Sequence, residues 1–305
     1  RPEGRETFFS NLHMVPTMVS SRRSRTLIIL VLLIALAAVC VFMDLSWISE
    51  RKCYSFSEVW DALTGNGTWA SETIVCEINA PRIAAGLFVG AGLAVTGAAM
   101  QAVFRNPLAS PYILGLSSGA SLGAAIGMLF TIPFIPAIVA TPILSFITCF
   151  ATMILVYAMS RAGGGVKTET LILSGVAVSS LLSALVSFLT FISGDKLEGI
   201  VFWTMGNLGN ADWSEIALIA PMITVCSILL ITQAKPLNAM MIGDSHAMDL
   251  GVDVKRTRLF VLILSTVVVA AAVSFVGVIG FIGLVIPHML RILLGPDNRH
   301  IMPLC

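Results

Sequence analysis

Three stretches of this chain combine residue types and spacings that could do chemistry, and the first is SRAGGGVKTET at residues 160–170. Glycines followed by lysine and threonine resemble the order of a phosphate-binding loop, which needs glycine directly before the lysine. Val166 stands at that place, and no buried strand precedes it. We therefore interpret the segment as a connecting turn. We expect no nucleotide site or cofactor in this chain, so any ATP must be bound and hydrolysed by another subunit.

The second stretch is GVIGFIGLVIPHMLRILLGPDNR at 277–299. Pro287 interrupts a helical hydrogen-bond ladder and frees a carbonyl about four residues earlier. His288 could cap that carbonyl or bond to a neighbouring helix, and the alternative is a contact with substrate. We expect the structural role for His288, and we expect Arg291 and Arg299 to pair with Asp297.

The third stretch is RNPLASPYILGLSSGASLGAAIG at 105–127, a polar turn broken by proline and followed by glycines every four residues. Since a helix repeats about every 3.6 residues, such glycines form one smooth strip that lets another helix approach closely. We expect the turn to end the preceding helix and the strip to set close helix packing. The residues concerned are Arg105, Asn106, Pro107, Gly115, Gly119, Gly123 and Gly127.

Other reactive groups are sparse. We find no nucleophile–base pair and no metal-ligand spacing, so we expect neither an enzyme nor a metal site. The cysteines are scattered at Cys40, Cys53, Cys76, Cys149, Cys226 and Cys305. Cys53 and Cys76 fall in one predicted loop and could form a disulfide in an oxidising compartment, and two unpaired thiols are the alternative.

The elements that must position these residues are membrane helices. The chain of 305 residues is 57% hydrophobic and 11% charged, whereas a soluble domain carries about 25% charged residues. Apolar segments near the length of about 20 residues that spans a bilayer recur along it. They lie near 27–43, 81–104, 112–130, 137–159, 170–192, 213–232, 258–276 and 279–295. We predict an all-α, polytopic transmembrane helical bundle of about eight spans in a lipid bilayer, with no nucleic-acid partner.

The charge distribution predicts the orientation. With a cytoplasmic N-terminus, the predicted inner segments hold most of the cations, namely Arg1, Arg5, Arg22, Arg23, Arg25, Arg105, Arg161, Lys167, Lys235, Lys255, Arg256, Arg258, Arg291 and Arg299. The outer segments hold only Arg51, Lys52 and Lys196, and Arg82 lies at an outer helix end. This bias follows the positive-inside rule and predicts a multi-pass membrane protein with a cytoplasmic N-terminus.

The inner side carries the most distinctive connection. We predict a leader at 1–26 without a cleavable signal, then a transmembrane domain over 27–305 that includes a polar segment at 233–257. This segment is too polar to cross the membrane, and Gly243 and Gly251 divide it. We expect two short helices on the cytoplasmic surface that present an interaction surface for a partner.

These motifs together resemble the membrane permease subunits of type II ABC importers, the FecCD-like group that takes up iron siderophores, haem and cobalamin. The resemblance runs from about Asn79 to the C-terminus. Besides the stretches from 105 and 277, it includes PRIAAGLFVGAGLAVTGAAMQAVF, LILSGVAVSSLLSALVSFL at 171–189, VFWTMGNL at 201–208 and IGDSHAMDLGV at 242–252.

The resemblance implies a protein of a prokaryotic inner membrane. It implies a homodimer of ten-helix subunits with an axial translocation path, near which the turn and glycine strip at 105–127 and the Pro287–His288 region would lie. It also implies two ABC ATPase subunits and an extracytoplasmic substrate-binding protein. It implies that 240–256 contains the helices that couple to the ATPase, with Asp244, Ser245, His246, Leu250 and Gly251 on that surface. It assigns docking of the binding protein to Arg82, whereas Asn79 stands where the family has a second arginine. Losing one rim charge is expected mainly to slow association.

The chain departs from the family at Cys305, where members continue with two more helices, so we expect either a fragment or a truncated protein. The preferred hypothesis is an importer permease that alternates access under the control of partner ATPases. An ATP-independent secondary transporter or channel is the alternative, although spans nearly free of carboxylates disfavour proton coupling. A membrane scaffold or sensor is a third class. The residues of the path and the substrate itself stay open.

Overall fold

The computed structural model describes residues 14–49, 52–130, 133, 135–162 and 166–305. The predicted all-α fold is confirmed, since long apolar segments satisfy their backbone groups internally as helices. The α-helices are α1 (Met14–Ser46), α2 (Phe56–Leu63), α3 (Trp69–Glu72), α4 (Ala80–Val103), α5 (Leu116–Leu129), α6 (Ala137–Ala162), α7 (Thr168–Phe191), α8 (Leu197–Met205), α9 (Trp213–Thr232), α10 (Ala234–Ile242), α11 (Asp244–Asp249), α12 (Val254–Val276), α13 (Ile282–Leu294) and α14 (Asn298–Leu304).

All eight predicted apolar segments form helices, but two are shorter than the sequence indicated. Six helical stretches in the described part of the chain are long and apolar enough to cross a membrane: Thr26–Ser46, Trp69–Val103, Ile138–Ala162, Thr168–Phe191, Trp213–Thr232 and Val254–Val276. The other two, α5 and α13, have 14 and 13 residues and extend only about 20 Å at 1.5 Å per residue.

Left-handed residues explain the two short helices. Gly115 has φ 76° and separates α5 from a 3₁₀ turn at Pro111–Leu114. Phe281 has φ 67° directly before α13. Such conformations interrupt a right-handed helix, and for a bulky residue like phenylalanine they are rare.

The predicted loop at 44–80 is largely structured where it is described. A short antiparallel pair, β1 (Trp47–Ser49) and β2 (Lys52–Cys53), follows α1. Ser55 caps α2, its side chain accepting from the Glu58 amide while the Glu58 carboxylate accepts from the Ser55 amide. A π-helical segment at Thr73–Asn79 then joins α3 to α4.

The interior of the bundle lies around α4 and α12, which are the most buried long helices. α4 packs against α9, α12 and α13, and α5 packs mainly against α6 and α7. Most buried positions along α4 and α12 are small or β-branched, including alanines, glycines, valines and serines, so these backbones approach closely. By contrast, α1 and α7 expose most of their length.

Two predicted segments fall partly outside the described residues. The leader at 1–26 includes residues 1–13, which are not described, and from Met14 onward the chain is helical and continuous with α1. The predicted turn at 160–170 includes residues 163–165, which are likewise not described, and α7 begins at Thr168.

The polar segment at 233–257 forms two short helices, as predicted. α10 and α11 are separated by Gly243, and Gly251 follows α11 with φ 83°. Because few side chains adopt this left-handed conformation, glycine at 251 is the residue that allows the chain to turn into α12.

Candidate functional site

The turn after α4 brings Arg105, Asn106 and Pro107 to one end of the bundle. Arg105 has φ 49°, a left-handed value for a non-glycine residue. The side-chain oxygen of Asn106 accepts from the Leu108 amide at 2.9 Å, and its carbonyl accepts from the Ala109 amide at 3.1 Å. We call this side the α11 end, because the Arg105 guanidinium reaches Asp244 at the start of α11.

Asp244 is the centre of a cluster of charges at the α11 end. Its Oδ1 lies 3.4 Å from an Arg105 guanidinium nitrogen, and its Oδ2 accepts from Arg258 at 2.8 Å. Arg258 also donates to the Val166 carbonyl at 2.7 Å. The aspartate that the sequence assigned to the coupling surface therefore already binds two cations of its own chain.

The remaining predicted coupling residues lie on the open side of α11. Ser245, His246, Leu250 and Gly251 are exposed, whereas Ala247 is fully buried and anchors the helix to the bundle. Apolar side chains stand out among the exposed residues here, with Ile242 70%, Met248 59% and Leu250 69% exposed. Clustered exposed apolar side chains on a polar segment are typical of a protein-interaction surface.

A second polar network at the α11 end centres on Arg291 of α13. Its guanidinium donates to the Gln101 side chain at 3.1 Å, to the Asn298 side chain at 3.0 Å and to the Ala98 carbonyl at 3.1 Å. Gln101 in turn donates to the Leu284 carbonyl at 3.1 Å. This network ties α4 to α13 and α14.

The expected pairing of both arginines with Asp297 is wrong for Arg291. Among the described residues, Arg299 is the arginine that pairs with Asp297, at 2.8 Å. Arg291 lies against α4 instead, where it donates to the Gln101 side chain and to the Ala98 carbonyl. The hydrogen bond from Arg299 holds the pKa of Asp297 well below its ordinary value. The carboxylate therefore stays charged at neutral pH.

The same network holds α10 in place. The Asn238 side chain donates to Asp297 at 2.6 Å and accepts from the Asn298 amide at 2.9 Å. α10 and α11 are thus each fastened to the bundle by polar groups on one side, while α11 leaves its other side open.

Pro287 is buried inside α13, and the freed carbonyl lies where the sequence predicts, at Gly283. His288 does not take up this carbonyl, contrary to one expectation: its Nδ1 is buried without a partner among the described residues. The Gly283 carbonyl lies instead against Gly97 of α4, where any Cβ would overlap it. Contact with a glycine backbone allows a weak Cα–H···O interaction.

The glycine strip packs closely, but its four members do not share one role. A Cβ at Gly119 or Gly123 would collide with Thr152 or Thr148 of α6, and one at Gly127 would lie 2.8 Å from the Thr141 Cα. Gly115 is instead the left-handed junction before α5, facing α7. The predicted close approach therefore holds for three glycines against α6, and the left-handed backbone explains the fourth.

At the opposite end, which we call the Arg82 end, Arg82 is not free. Its guanidinium forms an ion pair with Asp44 near the end of α1, and both side chains are partly exposed. Asn79 is buried and donates to the Leu45 and Trp47 carbonyls at 3.2 and 2.9 Å. Asn79 thus joins α4 to the end of α1 and does not offer a surface charge.

The cysteines considered for a disulfide are both free thiols in this structure. Cys76 donates to the Ala62 carbonyl at 3.6 Å, and Cys53 is exposed. Among the described residues no group of three or more histidines, cysteines or carboxylates is placed to hold a metal ion.

Sequence reasoning missed the roles of Arg258, Gln101 and Asn298. Each is a polar residue next to or within an apolar helix and each is buried, at 4%, 2% and 0% exposure. An ionisable or amide side chain in such a context signals a partner, because burying it alone is costly. Many of the partners are distant in sequence, such as Leu284 for Gln101, Val166 for Arg258 and Asn238 for Asn298. The sequence therefore indicates that the residue has a partner but does not identify that partner.

The fold and this arrangement define the chain as a polytopic α-helical membrane protein. Residues 32–305 match the model of the FecCD transport family. The chain belongs to the FecCD transport family.

Similar proteins include the cobalamin import system permease protein BtuC of Halobacterium salinarum, 42% identical over 76% of this chain. The hemin transport system permease protein HmuU of Yersinia pestis is 40% identical over 82% of the chain. This chain covers 62% of the length of the former and 74% of the latter. A solved structure of a metal-chelate type ABC transporter in an inward-facing conformation matches with a TM-score of 0.79 and 31% identity, covering 90% of this chain and 84% of that one.

Proposed function

We propose that this chain is the membrane permease subunit of an ATP-binding-cassette importer that moves an iron-chelate, haem or cobalamin-type substrate inward. The observation that carries the proposal is the surface formed by α10 and α11. It presents exposed Ile242, Met248 and Leu250 at the end where the two polar networks fasten these helices to the bundle. Family membership and the substrates named for the relatives support the assignment.

The partner on this surface is an ATPase subunit. Leu250 and Met248 supply apolar contacts, and Ser245 and His246 lie exposed beside them. The positive-inside bias supports a cytoplasmic position for this surface. Binding and hydrolysis of ATP in the partner would displace α10 and α11, and this displacement must favour one of two arrangements of the bundle to have any effect.

A second copy of the chain covers α7. This long helix is poorly buried, and it exposes Ser180, Ser183 and Ser187 together with leucines. Ser183 shares a hydrogen bond with Ser118 of α5 at 3.0 Å. Hydroxyl groups often form hydrogen bonds between membrane helices, and they are compatible with a water-filled path. These contacts support a homodimer with the substrate path between the two copies.

At the Arg82 end, a substrate-binding protein delivers the substrate from outside the inner membrane. Arg82 is the family-matched docking residue, and Asp44 occupies it before docking. A carboxylate of the binding protein would exchange with Asp44 or bridge to the same guanidinium. One rim arginine supports recognition and association rate more than affinity.

The test compares two leucine substitutions in the complete assembly. Leu250→Asp places a charge on the exposed α11 surface, whereas Leu63→Asp does the same on an exposed leucine at the end of α2. Both side chains lie on the surface, so neither substitution is expected to disturb the core. Tagged variants are co-expressed with the ATPase subunit and binding protein, purified, and reconstituted in vesicles.

We expect Leu250→Asp to lose the ATPase during purification and to lose ATP-driven uptake of hemin, cyanocobalamin or ferric dicitrate. Leu63→Asp should keep both. Equal ATPase capture by both variants would refute the assigned surface. Uptake by the chain alone under an ion gradient would instead support the ATP-independent transporter.

A further inference from the structure

Arg258 is a buried cation near the start of α12. Its side chain is 5% exposed, and its two terminal nitrogens bind different parts of the chain. One donates to the Val166 carbonyl at 2.7 Å and the other to the Asp244 carboxylate at 2.8 Å. Burying a guanidinium is costly, so these two partners are what makes its position stable.

The two partners of Arg258 belong to elements with different proposed roles. Asp244 begins α11, the helix with the exposed apolar surface. Val166 lies two residues before Thr168, where α7 begins, and α7 is the long helix whose serine-bearing face is exposed. A single side chain therefore connects the surface helix to the start of the helix we place at the substrate path.

Arg105 adds a third connection to the same carboxylate. Its guanidinium lies 3.4 Å from the other oxygen of Asp244, and its backbone adopts φ 49° in the turn after α4. Such a left-handed backbone is less favourable for arginine than for glycine. The geometry thus holds the turn after α4 and α11 together.

We propose that Arg258 is a positioning residue that transmits the displacement of α11 to the start of α7, with Asp244 as the shared contact. This inference rests on the proposed function, in which a partner moves α11. A guanidinium in two directional hydrogen bonds passes on a displacement because neither partner can move without breaking a partly buried charge-assisted bond.

Arg256 provides a matched control on the same helix. It lies two positions away, and its side chain is 91% exposed. It pairs with Asp253 at 3.1 Å, three residues earlier. Arg256→Met removes the same charge from the same helical turn without touching α11 or the connection before α7.

The experiment measures ATP hydrolysis and substrate uptake in the same vesicles, with the permease, its ATPase and its binding protein reconstituted together. Hemin, cyanocobalamin and ferric dicitrate serve as probes, and the one that the unmodified transporter takes up is used throughout. For Arg258→Met we expect ATPase association and hydrolysis to persist while uptake per ATP falls about ten-fold, within the usual range of coupling between sites. Arg256→Met should leave the ratio unchanged, and Arg258→Lys should restore part of it.

An unchanged uptake per ATP in an assembled Arg258→Met transporter would overturn the inference, whether hydrolysis and uptake both persist or both fall equally. If Arg258→Met does not assemble, Asp244→Asn tests the same link with a near-isosteric change. It is expected to lower uptake per ATP while the ATPase stays bound, and an unchanged ratio would overturn the inference. An unmodified transporter that takes up substrate without ATP would reject the proposed function itself, which distinguishes the two failures.

Discussion

At the scale of single residues, the partner a side chain already has decides what else it can bind. Arg82 is the residue that we propose docks the binding protein, and in the structure its guanidinium forms an ion pair with Asp44 of α1. Both side chains are partly exposed, so a carboxylate from outside can compete for the same cation. The pair therefore sets how readily Arg82 accepts a partner.

This competition makes a prediction about association rates. Asp44→Asn removes the competing charge and should speed binding of the substrate-binding protein to the vesicle-reconstituted transporter, whereas Arg82→Gln should slow it. Rim charges act mainly through association, so we expect changes of roughly two- to ten-fold in the on-rate at low salt. Surface-based binding kinetics at two salt concentrations would measure them.

The same direction of change in both variants would contradict a docking role for Arg82. Glu58→Gln is a suitable control. Glu58 is an exposed carboxylate in the connection between α1 and α4, and it takes part in the local cap of α2. Its substitution should leave the on-rate nearly unchanged.

Individual residues also mark the limit of sequence reasoning. The polar segment between two apolar ones predicted an interaction surface, and the family resemblance assigned Asp244, Leu250 and Gly251 to it. The sequence could not identify the partners of Asp244. Arg105 lies far away in sequence, and Arg258 belongs to the next apolar helix. Val166 joins the cluster by accepting a hydrogen bond from Arg258. The role of Asn79 was equally hidden, since its partners are backbone carbonyls.

At the scale of elements, two helices of the bundle come into close contact at glycine residues. α4 and α13 cross at Gly97 and Gly283, where a Cβ on Gly97 would overlap the Gly283 carbonyl. That carbonyl has lost its helical donor to Pro287, so a close glycine backbone is a favourable neighbour for it. The crossing therefore depends on the absence of a side chain at 97.

Two alanine substitutions on α4 test this dependence. Gly97→Ala inserts a methyl group against backbone that cannot rotate away, which is expected to cost about 1–3 kcal/mol or to separate the helices. Gly90→Ala meets no atom within 4 Å and should stabilise α4 by roughly 0.5–1 kcal/mol. Thermal unfolding of both variants in detergent measures the difference.

A lower melting temperature for Gly90→Ala than for Gly97→Ala would contradict the described crossing. Equal values would mean that α4 and α13 can separate at no cost.

The number of apolar helical segments was predictable from the sequence, and their lengths were less so. Apolar runs indicated each of the eight helical segments, because hydropathy alone determines which stretches lipid accepts. The runs could not show that Gly115 and Phe281 adopt left-handed conformations that shorten α5 and α13. Nor could they show the helices and strands of 44–80, whose stability depends on packing of Val59, Ala62 and Val75.

At the scale of the whole molecule, the α11 end and the Arg82 end carry different kinds of surface. The α11 end joins two polar networks to an exposed apolar patch on α10 and α11. The Arg82 end carries a partly exposed ion pair. In the proposed function the ATPase binds at the first end and the binding protein at the second, and α4, α12 and α13 lie between them.

The most direct test of this account is a crosslink from position 250 in the assembled transporter. Leu250→Cys, labelled with a short photoactivatable thiol reagent, is illuminated in inside-out vesicles that contain the ATPase subunit. We predict a covalent adduct between the chain and the ATPase, because Leu250 is exposed on the proposed contact surface. An active transporter that forms no such adduct, or a residue 250 labelled only from the outer side of the membrane, would contradict the central claim.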